Sequence, residues 1–248
     1  MMKDNINNIE QRIQAACDRS HRQRSEVTLI AVSKTKPISM VKEAYDLGMR
    51  DFGENKVQEL AEKYEALHAN YRDTIKWHQI GHLQRNKVKY VVDKAVLIHS
   101  VDSLRLAMQI EEEARKKDMI CDMLVEVNIA SEDSKFGVSP ADTPALCEEI
   151  GKLSHIRLRG LMTVAPNNRD PEKNREYFKN LRELYVDIKS KNIDNRDKES
   201  KGNFLHDDFN ILSMGMTGDF EVAIEEGATM VRIGTGIFGE RDYTNTLA

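Results

Sequence analysis

A lysine, an arginine and two glycine-containing turns stand at the ends of apolar runs, where side chains that do chemistry are usually presented. In "LIAVSKTKP" (29–37), a run that reads as a buried strand stops on Lys34. An isolated strand-end lysine ordinarily snorkels to solvent. A partly buried one loses some of its proton affinity and becomes a nucleophile toward an aldehyde. In "TMVRIGTGIFG" (229–239), Arg232 stands inside an apolar run with Met230 on its own face. An unpaired guanidinium there costs on the order of several kcal/mol of desolvation. It needs a partner, either a buried carboxylate such as Glu54 or Glu126 or an acceptor on a ligand. "ILSMGMTGDFEVAIEEG" (211–227) passes from a strand to a helix through Ser213, Gly215, Thr217 and Gly218, and Gly234, Thr235 and Gly236 follow the next run directly. Small residues at such turns let main-chain amides approach an anion.

Something must hold these residues together, and the apolar runs say what. They begin at residues 27, 50, 75, 95, 122, 157, 209 and 229, rich in Val, Ile, Leu and Met, with stretches of helical periodicity between them such as 39–47, 103–117, 143–153, 171–189 and 219–226. Parallel strands covered on both faces read as continuous apolar runs. Eight strand-helix units in 248 residues, about 31 residues each, predict a single (β/α)8 TIM barrel over 1–248. An open doubly wound sheet would offer a glycine-rich first turn, and "SKTKP" has no glycine. Ile6, Ile9, Ile13 and Ala16 recur at helical spacing, so an additional N-terminal helix precedes the barrel. "KSKNIDNRDKESKG" (189–202) is charged and poor in apolar residues and reads as an exposed, mobile loop. In a barrel of this kind the site lies at the carboxyl ends of the strands, and phosphate is often held after strands seven and eight.

Composition narrows the classes of ligand. Lys and Arg number 37 against 41 Asp and Glu, a net charge of −4 with the signs interspersed, which argues against nucleic acid as a partner. No stretch approaches the roughly 20 apolar residues of a membrane helix, and the N-terminus lacks the apolar core of a secretory signal. Cys17, Cys121 and Cys147 are far apart, which suits the cytoplasm and gives neither a disulfide framework nor a zinc site. His78 and His82 are four apart, but Gly81 and a strand-to-loop context spoil the geometry of a metal pair, and no metal is expected.

An aldehyde-seeking lysine, two anion-cradling turns and an inward arginine together meet the needs of pyridoxal 5'-phosphate (PLP): an imine, a phosphate anchor and a partner for the ring nitrogen. "AVSKTKP", "FGENKVQE" (52–59), "WHQIGHLQRNK" (77–87), "GLMTV" (160–164) and "LSMGMTGDFEVAIEEGATMVRIGTGIFG" (212–239) resemble the pyridoxal phosphate homeostasis protein family, whose fold is similar to the barrel domain of alanine racemase. The likeness runs from about Arg12 to Tyr243. It implies a Schiff base on Lys34, phosphate contacts at Ser213, Gly215, Gly234 and Thr235, Arg232 at the pyridine nitrogen, and Asn55 lining the cofactor. His78 is implied near the ring, with a satisfied core histidine as the other reading. Lys135 is either a second amine near the cofactor or a solvated loop lysine.

Function divides on the arginine. A guanidinium donating to the ring nitrogen keeps that nitrogen unprotonated and weakens the ring as an electron sink. Racemases of the related fold also bring a tyrosine from a second domain, which is not expected in these 248 residues. A monomeric carrier that stores, buffers or delivers PLP, with apo PLP-dependent enzymes as partners, is the first expectation, and the family implies the same. A weak amino-acid racemase or lyase is the alternative. A phosphosugar barrel enzyme without the cofactor would form no imine at Lys34.

Overall fold

Each apolar run becomes a strand that starts within two residues of the run's own first residue. In the computed structural model, which describes residues 1–71, 74–130, 132, 136–194 and 208–240, the strands are β1 (Thr28–Val32), β2 (Asp51–Glu54), β3 (Lys76–Gln79), β4 (Ala95–Val101), β5 (Cys121–Glu126), β6 (Ile156–Met162), β7 (Ile211–Met216) and β8 (Met230–Ile233). They pair in chain order into a closed barrel, with β8 parallel to β1. Around it lie α2 (Ile38–Asp46), α3 (Val57–Tyr71), α4 (Leu104–Lys116), α5 (Thr143–Ile150), α6 (Arg175–Asp194), α7 (Phe220–Glu225) and α8 (Thr235–Phe238), and α1 (Met2–Arg19) precedes β1. The expected (β/α)8 barrel with an extra N-terminal helix is the fold.

Period-two alternation sorts the side chains. Leu29 and Ala31 of β1, Phe52 of β2 and Val231 and Ile233 of β8 join the main apolar cluster between strands and helices. Leu97, Leu124, Met162 and Ile211 form a smaller cluster inside the barrel, with Met230 against it. The facing strands bring Ile30 opposite Arg232, Val32 opposite Gly53 and Gly53 opposite His78. Polar residues that share the inward parity are therefore forced toward one another, and they make up the site.

The helix α1 buries Ile6, Ile9, Ile13 and Ala16, as their spacing predicts, with Met2 and Cys17 beside them. Each large apolar side chain so covered is worth about 1.5–3 kcal/mol. The stripe packs on α7 and α8. Polar contacts fix the angle: Arg12 Nη2 lies 2.6 Å from Glu221 Oε2, Arg19 Nε 2.6 Å from Glu225 Oε1, and Asn5 Nδ2 donates to the Ile237 carbonyl at 3.0 Å. That helix thus braces the two elements that follow β7 and β8.

Two expectations need correction. The β3–β4 connection carries no α-helix, only the 3-10 turn Arg85–Tyr90. Gly81, at its start, is drawn in by Gln79 Nε2 and Ser100 Oγ, both of which donate to its carbonyl. The remaining stretch covers the barrel with Leu83, Val88, Val91 and Val92 instead. The second concerns 189–202, whose first residues continue α6 as far as Asp194. Lys191 pairs with Asp187 one turn back at 2.7 Å, and Lys189 Nζ donates to the Tyr185 hydroxyl at 3.3 Å. Exposed helix can run on such i,i+4 contacts, so low hydrophobicity does not by itself end one. Residues 195–202, and Lys135, lie outside the described residues. Among the described residues no helix is long and apolar enough to cross a membrane.

Candidate functional site

The chain leaves β1 through Ser33 and Lys34 and turns at Thr35, whose φ of +64° is left-handed, a conformation that β-branched residues rarely adopt. Holding it costs on the order of 1–3 kcal/mol and requires neighbours that enforce it. The neighbours come from α3: Thr35 N–H donates to Glu59 Oε2 at 2.8 Å, and Lys63 Nζ donates to the Ser33 carbonyl at 2.7 Å. Lys34 is left half-buried at the carboxyl end of β1. Lys36 has a different task, since its Nζ donates to the carbonyls of Phe238, Gly239 and Glu240 at 3.2, 3.3 and 2.9 Å and so closes the end of α8. Asn55, half-buried after β2, accepts on its carbonyl from Gln79 Nε2 at 3.0 Å.

The two glycine turns meet. Gly215 has φ +92°, and a Cβ there would come within 2.6 Å of the Ala223 Cβ and 2.9 Å of the Phe220 Cα, so glycine alone suits the close packing of β7 on α7. Asp219 folds the turn: its Oδ1 accepts from the Met216 N–H at 2.7 Å, and Asn174 Nδ2 donates to its Oδ2 at 2.8 Å. Gly236 N–H reaches Thr217 Oγ1 at 3.4 Å and links this turn to the one after β8. Gly234 backs directly on β1, since a Cβ there would lie 3.3 Å from the Val32 carbonyl. A Cβ on Gly218 would meet nothing within 4 Å, so main chain faces open space there, an arrangement suited to an anion.

Arg232 is only 4% exposed. Its Nη1 donates to Ser213 Oγ at 2.7 Å and its Nη2 to the Thr163 carbonyl at 2.8 Å. The carboxylates weighed as ion-pair partners do not bond it. Glu54 shares parity with Phe52 and faces outward, where its Oε1 accepts from Lys63 Nζ at 2.7 Å and Ser33 Oγ at 2.6 Å. Glu126 influences Arg232 across the barrel interior without forming an ion pair. Its carboxyl is pushed up to about 7 by burial and by the charge of Asp102, with Arg232 pulling the other way. Burial lowers the Arg232 guanidinium to about 10, opposed by Glu126 and Asp219, so it stays charged at neutral pH. Its bonds to Ser213 and Thr163 use two of the five N–H groups of the guanidinium.

Behind Ser213 runs a chain of hydrogen bonds. Ser213 Oγ lies 2.9 Å from His99 Nδ1, His99 Nε2 lies 3.0 Å from His78 Nδ1, and His78 Nε2 lies 3.1 Å from Asp51 Oδ1. The two ends assign the protons. Arg232 can only donate and an ionised Asp51 can only accept. Every bond is satisfied with both imidazoles neutral when Ser213 gives its proton to His99, His99 gives Nε2–H to His78, and His78 gives Nε2–H to Asp51. Burial, with His78 and Arg232 adding to it, holds His99 well below the usual histidine range and keeps it neutral. Asp51, the carboxylate of this chain of bonds, thus stands three hydrogen bonds beyond Ser213.

Of the residues singled out from sequence, Lys34 and Asn55 follow β1 and β2, Gly215 lies near the carboxyl end of β7, Gly234 and Thr235 lead from β8 into α8, and Arg232 lies within β8. Ser213 differs: its hydroxyl is committed to Arg232 and His99 instead of the glycine turns. His78 is buried between Asp51 and His99, removed from the mouth by the relay. His99, Asp51 and Thr163 escaped notice. A signal for His99 exists, because "AVLIHSV" interrupts an apolar run with a polar residue just as Arg232 interrupts its own.

The geometry meets the needs of a PLP site: an amine at one wall, glycine turns with space before them, and a buried guanidinium with N–H groups beyond its two bonds to protein oxygens. The family model of the alanine racemase N-terminal domain matches residues 5–242, which sets the class as a racemase-type barrel. The fold agrees, since alanine racemase of Clostridium difficile 630 superposes with a TM-score of 0.68 over 98% of this chain and 57% of that one, at 16% identity. Closer in sequence, the pyridoxal phosphate homeostasis protein of Aquifex aeolicus (strain VF5) is 44% identical over 245 residues, covering 97% of this chain and 98% of that protein. PipY of Synechococcus elongatus PCC7942, solved with PLP bound, has a TM-score of 0.79 at 30% identity over 96% of this chain and 100% of its own. The chain belongs to the alanine racemase N-terminal domain family and, within it, to the pyridoxal phosphate homeostasis proteins.

Proposed function

We propose that this chain binds PLP and acts as an intracellular carrier and buffer of the cofactor, a cytoplasmic monomer that supplies apo PLP-dependent enzymes. Relatives named for PLP homeostasis and the PLP-bound neighbour support the reading. The observation that carries it is Arg232: a buried cation held by neutral oxygens, with N–H groups beyond those two bonds, on the strand beside the one that leads to Lys34.

When bound, PLP supplies an aldehyde that the Lys34 amine joins as a carbon–nitrogen double bond with loss of water. Lys34 presents that amine. The turns at Gly215–Gly218 and Gly234–Thr235 offer main-chain donors to a phosphate. Arg232 would donate to the ring nitrogen, and the relay from Ser213 to Asp51 leaves it a donor by placing no carboxylate in hydrogen-bond contact with it. Because the guanidinium keeps its own proton, the ring nitrogen stays unprotonated, which favours holding the cofactor over amino-acid chemistry. The second reading, a weak racemase or lyase, draws on Glu126, a carboxyl facing the barrel interior that titrates near neutrality.

The visible spectrum tests the proposal. Loaded protein is expected to show an absorbance band that Lys34→Ala abolishes while the fold survives, and a band that persists in the variant contradicts the assignment. Transfer to an apo-enzyme in the presence of a scavenger of free PLP separates direct delivery from release. Steady-state turnover at the rate of ordinary enzymes would displace the carrier in favour of the alternative.

A further inference from the structure

We propose that the Glu59–Lys63 pair of α3 is the positioning device for Lys34, gripping the main chain on both sides of that residue so that its amine is presented to the barrel mouth. Glu59 takes the N–H that follows Lys34 in the chain, that of Thr35, at 2.8 Å. Lys63 gives a proton to the carbonyl that precedes it, that of Ser33, at 2.7 Å. One helical turn separates the two gripping residues, and their charged ends are 3.8 Å apart, so a single face of α3 holds both peptide groups. Directly after the second grip the backbone turns into the left-handed conformation at Thr35. A threonine does not choose that conformation unaided.

A second tie fixes the helix to the strand end. Glu54 Oε1 accepts from both Lys63 Nζ and Ser33 Oγ, at 2.7 and 2.6 Å, so the side chain of Ser33 is held as well as its carbonyl. The side chains of the bracket lie outside the barrel wall, with Glu54, and hold the chain on either side of Lys34, so their effect on a ligand is expected to pass through Lys34. A side chain on a turn of its own choosing would sample many directions, and fixing the peptide planes on either side removes most of them before ligand arrives. Preorganisation of this kind strengthens binding by cutting the ordering cost. The inference rests on the reading of Lys34 as the cofactor amine, so its test has an arm without cofactor.

With PLP, Glu59→Ala is expected to weaken binding about tenfold, as loss of a charge-assisted hydrogen bond would. Glu59→Gln, which keeps an acceptor oxygen, should recover most of that loss. In a Lys34→Ala background the same Glu59→Ala change should leave the residual, non-covalent affinity within about twofold, since sites coupled only through Lys34 lose their coupling when it is removed. Equal weakening in both backgrounds would overturn the proposal and leave the pair a packing contact. Without PLP, the rate at which an amine reagent such as trinitrobenzenesulfonate labels Lys34, followed by peptide mapping against the exposed Lys42, should rise at least about threefold in Glu59→Ala and return toward wild type in Glu59→Gln. An unchanged rate would also overturn it. Should wild-type protein bind no PLP, the cofactor reading falls while this labelling arm still decides the bracket. Lys63→Met combined with Glu54→Gln avoids a stranded buried charge and is expected to repeat the Glu59→Ala pattern, the opposite result counting against the proposal.

Discussion

Two buried cations flank the same strand end, and the protein treats them differently. Lys63, outside the barrel wall, meets the Glu54 carboxylate at 2.7 Å and has Glu59 at 3.8 Å. Arg232, inside the wall, bonds only a hydroxyl and a carbonyl. A cation saturated by carboxylates has little attraction left for a ligand and serves the architecture. One held by neutral oxygens keeps most of its field and, with N–H groups beyond those two bonds, serves whatever enters the barrel. The contrast places a ligand-directed charge and a structural charge within a few residues of Lys34.

Removing each cation should expose that contrast. Lys63→Met leaves the completely buried Glu54, whose carboxyl is pushed up to about 7 by burial even beside Lys63. The change is expected to cost about 3–5 kcal/mol in denaturant unfolding above that pH, where the carboxylate is stranded, and less below it, where the carboxyl takes up a proton. Arg232→Gln leaves no such charge behind and should shift stability by only about 1 kcal/mol, while weakening PLP binding by roughly tenfold or more. Comparable unfolding losses in the two variants would erase the distinction.

The interior carboxyl sharpens it through pH. Glu126 holds its proton up to about 7 in the folded chain against an ordinary 4.5. Between those values the unfolded chain has lost a proton that the folded one keeps, so this group's contribution is full below the ordinary value and is lost as pH rises through about 7. The difference between wild type and Glu126→Gln should therefore change across that window by about 3 kcal/mol at most. Flat, parallel pH profiles would contradict the shift. A smaller effect is expected from Ser213→Ala, which breaks the relay at Arg232 Nη1 and His99 Nδ1 and should cost about 1–3 kcal/mol.

How far the sequence reached follows the range of its signals. The strands were legible because each is a continuous apolar run, and Lys34 and Arg232 were legible because each interrupts or ends one. Parity alone would have turned Glu54 outward with Phe52 and removed it as a partner for Arg232. The relay was not legible, since Asp51, His78, His99 and Ser213 come from four strands and meet only once the barrel closes with a particular register. The Glu59–Lys63 bracket was hidden for another reason. An i,i+4 acid-base pair on a helix is usually a solvated surface feature, and nothing local says that these two reach the backbone of a distant turn.

The account depends most on which nitrogen carries the cofactor. Borohydride reduction of PLP-saturated protein followed by peptide mass mapping is predicted to find the pyridoxyl mass on Lys34. Label on Lys36 or Lys63 in its place, or on no lysine, would contradict it.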